Sequence, residues 1–208
     1  GGLALGVYEP LLRQIASGGF FVVAWASCSV DNSCDNGEAS FLEALKTIQY
    51  LEATTTHIPE LDLTKPYSAS GHSTGARVVL MLAAIIDTPA YLHNTKYAAE
   101  LTPAARKSLS RIKAVVADHA DPMYDLKQNP DFSHFNITQT PVMIVTGTRD
   151  RIEPVSSGWE DFMLLQTSDK VFLNIANATH LQPMEGHLEG PYLTYFVQYF
   201  ALGQARAG

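Results

Sequence analysis

The sequence predicts an α/β protein: a mostly parallel sheet with helices on both faces. Two observations carry this. Short unbroken apolar runs, the pattern of strands buried on both faces, alternate with segments whose apolar residues recur at helical spacing. The 208 residues are 46% hydrophobic and 17% charged, which supplies one sizeable core for a single domain spanning 1–208.

The elements follow in order. Tyr8–Ser17 reads as a helix, and "FFVVAW" (Phe20–Trp25) as the first strand. Gly37–Ala53 is a helix, with Phe41, Leu42, Leu45, Ile48 and Leu51 on one face. "PYSASG" (Pro66–Gly71) is the next strand and Thr74–Ile86 the helix after it. Asp87–Arg111 exceeds a minimal connection and reads as an insertion, either a small lid or an ordinary packing helix. Within it Thr102 and Pro103 fit the N-cap and first position of a helix. The strands "IKAVVA" (Ile112–Ala117), "PVMIVTG" (Pro141–Gly147) and "KVFLNIA" (Lys170–Ala176) complete the sheet. Helices are expected at Pro154–Gln166 and Leu188–Leu202.

Composition excludes several classes. The net charge of −7 argues against a general nucleic-acid surface. No apolar run of about 18 residues spans a membrane; Glu9, Pro10, Arg13 and Gln14 interrupt the nearest approach, Leu3–Trp25. A monomer is expected. Cys28 and Cys34 flank a short loop and are either a local disulfide or two free thiols. The disulfide, with Asn-x-Thr sequons at Asn136 and Asn177, fits a secreted protein; free thiols fit a cytoplasmic one.

The chemistry centres on "GHSTG", Gly71–Gly75, between a strand and a helix. That context is what a Gly-x-Ser-x-Gly nucleophile elbow requires. The sharp turn lifts Ser73 above the sheet at a helix N-terminus, where unpaired amides favour negative charge. Gly71 and Gly75 are expected to leave room for neighbouring backbone. A serine hydroxyl needs a base, and the base an orienting carboxylate, in the chain order serine, acid, histidine. Asp150 follows the fourth strand and His180 the fifth, both at the sheet end where open parallel sheets place their sites. Among the seven histidines, His119 in "ADHADP" is the main rival base, and Asp118 and Asp121 are rival acids. His72 is expected to support the elbow. No metal-ligand cluster or phosphate-binding glycine loop is present, so neither metal nor cofactor is expected.

The stretches "YEPLLRQIASGGFFVVAW", "GHSTGARVV", "TGTRDRIEPV" and "NATH" occur in an order that resembles the α/β-hydrolase superfamily. The likeness is to its branch of cutinases, polyester hydrolases, chlorophyllase-like esterases and dienelactone-hydrolase-like proteins. It implies an α/β-hydrolase fold and a serine esterase with Ser73 as nucleophile, Asp150 as acid and His180 as base. The substrates implied are carboxylic esters, including bulky or polymeric ones. Thr74 takes the position of one oxyanion donor, and Gly1 or Gly2, or Leu3 at a stretch, falls near the second. Trp25, Met123, Tyr124, Ile152 and Leu181 are pocket candidates, with core packing as the alternative for each. The strand that precedes the oxyanion loop in this family has no counterpart before Tyr8. These residues are therefore expected to be part of a longer chain, or to form a rearranged sheet; pairing of Phe20–Trp25 directly with Pro66–Gly71 would count against the first. A serine peptidase or acyltransferase shares the same triad, and a non-catalytic binding protein shares the fold.

Overall fold

The structure is a computed structural model that describes residues 5–25, 40–53, 58, 61–89, 98–123, 136–185 and 188–203. Four strands form one parallel sheet in the order β1-β2-β3-β4: Tyr67–His72, Ile112–Asp118, Val142–Gly147 and Lys170–Ile175. The helices are α1 (Glu9–Ser17), α2 (Ser40–Ala53), α3 (Thr74–Asp87), α4 (Pro103–Leu109), α5 (Val155–Leu164), α6 (Gln182–Glu185) and α7 (Gly190–Phe200).

Both faces of the sheet are covered, and alternation along the strands divides its residues between two cores. Val115, Ala117, Val142 and Ile144 pack with α2, α3 and α4 on one face. Ala114, Val116, Met143 and Val145 pack with Leu193, Phe196 and Val197 of α7 on the other, with Ile15 of α1 beside them. This explains why β2 and β3 are apolar at nearly every position. Helix α3 is buried without interruption from Val78 to Ile85, so it has no polar face to display.

The expected strand at Phe20–Trp25 does not form. An extended run becomes a strand only when a neighbour takes up its N–H and C=O groups. No strand among the described residues does so, β1 included, and Phe21 lies 48% exposed. Within the 87–111 segment, α4 is capped as expected, Thr102 Oγ1 accepting from the Ala105 amide at 3.2 Å. Ala105 and Leu109 are buried in the core beside α2 and α3. Leu109 lines a small cleft with Ile85 and Ile86 at the C-terminal end of α3, whereas Ser73 sits at its N-terminal end. Residues 90–97 lie outside the described part. No helix among the described residues is long and apolar enough to cross a membrane.

Candidate active site

The turn between β1 and α3 is tightly constrained. Ser73 has φ 58° and ψ −125°, a region that side-chain-bearing residues seldom occupy. Its amide donates to the Asp118 carbonyl at 2.9 Å, and its carbonyl accepts from Ala76 at 2.9 Å, so the strain is held from both sides. Gly71 is required here: a Cβ would stand 2.0 Å from the Gly75 carbonyl oxygen. Gly75 is not required in the same way, because a Cβ there would meet nothing within 4 Å. The expectation that both glycines make room thus holds for the first alone; Gly75 contributes the backbone that Gly71 must clear.

Thr74 opens α3, and an amide at that position has no intrahelical acceptor. Its hydroxyl donates to Asp121 Oδ2 at 3.1 Å, and Arg77 Nη2 pairs with the same oxygen at 2.7 Å. Burial pushes the Asp121 carboxyl up, but the hydrogen bond with Glu153 and the Arg77 charge outweigh it and hold it below its usual range. Glu153 moves the other way, pushed up to about 8 by burial and by the hydrogen bond and charge of Asp121. The hydrogen bond between Asp121 and Glu153 joins the loop after β2 to the loop after β3.

That second loop carries Asp150, which is 6% exposed. Its Oδ1 accepts from the amides of Ile152 and Glu153, both at 2.8 Å, and its Oδ2 faces His180 Nδ1 at 2.8 Å. A carboxylate can only accept, so His180 carries a proton on Nδ1, and in the neutral ring the lone pair is on Nε2. His180 sits on the turn after β4 and is 8% exposed. The structure therefore places Asp150 and His180 within hydrogen-bond distance of each other. It links them to the elbow through His72, whose Nε2 donates to the His180 carbonyl at 2.8 Å.

The rival groups fall into place behind this pair. His119 is fully buried at φ 50°, with Nδ1 2.7 Å from Asp118 Oδ1 and Nε2 4.0 Å from Asp150 Oδ2. Burial works against its charged form, but the Asp118 hydrogen bond and the charges of Asp118, Asp150 and Glu189 prevail and raise its pKa. Asp118 is spoken for by His119, and Asp121 by Arg77 and Thr74. Glu189, at the start of α7, is 0% exposed, and among the described residues no other residue donates to its carboxyl oxygens. Burial, then the charge of Asp118, pushes it up to about 7. Nothing in the local sequence around Glu189 marks it as buried.

Of the pocket candidates, Ile152 and Leu181 are 63% and 41% exposed, each within two residues of Asp150 or His180. Met123 is 1% exposed and belongs to the core, the alternative to a pocket role, and Trp25 packs partly buried against that core. Gly1, Gly2, Leu3, Cys28, Cys34 and Tyr124 lie outside the described residues, as do His57, His93, His134 and His187. Among the described residues no three His, Cys, Asp or Glu side chains converge as metal ligands.

No family model matches the chain, and no curated protein does. Solved structures do. An esterase of Pyrococcus furiosus superposes with a TM-score of 0.63 at 14% identity, covering 93% of this chain and 76% of that one. The esterase domain of a Rhodothermus marinus protein gives 0.62 at 15% identity, covering 95% and 81%. A monoacylglycerol lipase of Paleococcus ferrophilus gives 0.59 at 15% identity, covering 94% and 91%. At such identities the likeness speaks for architecture: the chain has the α/β-hydrolase fold.

Proposed function

We propose that this protein is a carboxylic ester hydrolase working through an acyl-enzyme. The observation that carries the reading is the Asp150–His180 pair at 2.8 Å, joined through His72 to the strained turn that bears Ser73. In this mechanism His180 Nε2 takes the proton of Ser73 as its oxygen attacks the ester carbonyl. Asp150 holds the tautomer and stabilises the imidazolium, while the Thr74 amide faces the oxyanion. His180 then protonates the departing alcohol, and water, activated by the same imidazole, releases the acid. Esterases and a lipase among the superposable structures support this class. Exposed Ile152 and Leu181 beside the pair support bulky apolar esters, polymer chain ends included, as the finer substrate reading.

The test is hydrolysis of a short-chain nitrophenyl ester by the wild type and by Ser73→Ala. The wild type is expected to turn over and the variant to lose activity by about 10⁴-fold or more. Turnover by a peptide substrate alone would transfer the same residues to a peptidase. No turnover of either by folded protein would sink the catalytic reading in favour of a binding protein.

A further inference from the structure

The side chain of the residue before Ser73 hydrogen-bonds to two distant segments at once. His72 Nε2 donates to the backbone carbonyl of His180 at 2.8 Å. Its Nδ1 meets the hydroxyl of Tyr8, at the start of α1, also at 2.8 Å. A carbonyl oxygen can only accept, so the Nε2 proton is fixed. Nδ1 then keeps its lone pair and accepts from the Tyr8 hydroxyl. Of the two neutral tautomers, only the one protonated at Nε2 satisfies both contacts.

We propose that His72 is a positioning residue for the base: a Tyr8–His72–His180 tether that sets the backbone of His180 relative to Ser73. The inference rests on the esterase reading above. Asp150 fixes the His180 ring at Nδ1, and His72 fixes the peptide that carries the ring. Two anchors on one residue define both the place and the direction of its Nε2. The second anchor belongs to the neighbour of Ser73, whose Cα is about 3.8 Å from that of His72. Base and nucleophile are thereby referred to the same short piece of backbone, and a displacement of about 1 Å in such a pair can cost about 100-fold in rate.

The surroundings keep His72 neutral. The titratable groups around it are Tyr8, Asp118, His119 and His180, with the His180 ring centroid at 4.7 Å and that of His119 at 5.9 Å. Burial dominates and, with the repulsion of His180 and His119, outweighs the attraction of Asp118, holding His72 down at about 4. A neutral ring so close to His180 adds no repulsion to the imidazolium that forms there during the reaction.

The experiment compares His72→Leu, His72→Gln and Tyr8→Phe with the wild type, by ester kinetics and by nitrogen NMR of the imidazoles. Loss of the tether in His72→Leu is expected to lower kcat by roughly 10- to 100-fold with KM within about twofold. His72→Gln, whose amide can donate to the same carbonyl, should regain most of that loss. Tyr8→Phe keeps the ring and the fold but frees Nδ1, so kcat should fall several-fold. Unchanged kcat in both His72→Leu and Tyr8→Phe, or a glutamine variant no better than leucine, would overturn the tether. The NMR spectrum decides independently of activity. A neutral His72 protonated at Nε2 from pH 5 to 8 supports the contact, and a ring that titrates there or carries its proton on Nδ1 overturns it. A wild type that shows this tautomer yet hydrolyses no ester would overturn the esterase reading and leave the contact itself standing.

Discussion

Replacing Glu189 by Gln should change how stability depends on pH. The carboxyl is 0% exposed, receives no hydrogen bond from another of the described residues and lies within the field of Asp118. Its pKa moves from 4.5 up to about 7, burial being the larger cause. Between those values the native state holds a proton that the unfolded chain has released. Stability therefore falls as pH rises through this window. At about 1.4 kcal/mol per pH unit the full interval amounts to about 3 kcal/mol. Glutamine has no proton to lose, so the variant should escape this decline. Part of the gain is offset, because the Glu189 charge also supports the charged form of His119. The expected net advantage of Glu189→Gln over wild type at pH 8 is on the order of 1–3 kcal/mol, against little difference at pH 5. For a chain of this size that is a rise of roughly 3–10 °C in Tm. Urea unfolding at pH 5, 6, 7 and 8, on both proteins, measures it. Parallel curves across the four pH values would refute the claim that Glu189 is buried beside Asp118 without a donor.

Two further outcomes follow from the same geometry. Gly71→Ala should destabilise the fold by about 3 kcal/mol or more, because its Cβ would overlap the Gly75 backbone at 2.0 Å; Gly75→Ala, with open space, should be neutral or stabilise by up to about 1 kcal/mol, and thermal unfolding of the pair tests both. Asp150→Asn should lower kcat by about 10⁴-fold while leaving secondary structure intact, since an amide no longer imposes the tautomer of His180.

Much of this could be read from the residues. Strands β2 and β3 are buried on both faces at nearly every position, so their sequences read as apolar runs. The elbow was legible because Gly71 and Ser73 do separate jobs that few other residues can: one clears a carbonyl, the other bears a strained φ. The expectation that Asp150 and His180 work together rested on their places at strand ends, and the two side chains do meet at 2.8 Å. Phe20–Trp25 misled because an apolar run carries no information about whether a partner strand stands beside it. His119 looked like a rival base in the sequence, and only the fold turns it inward onto Asp118. The contacts of His72 join residues 64 and 108 positions apart, and no local pattern encodes such a meeting. Glu189 is hidden for the same reason: its burial is decided by the packing of α7 against the sheet and not by its neighbours in the chain.

The central claim is that Ser73 is a nucleophile activated by His180. Fluorophosphonate labelling, with peptide mapping of the adduct in the wild type, Ser73→Ala and His180→Ala, tests it most directly. The account predicts a single adduct on Ser73, none in the serine variant and labelling slowed by orders of magnitude in the histidine variant. An adduct on another residue, no adduct on folded wild type, or labelling of Ser73 that ignores His180 would contradict it.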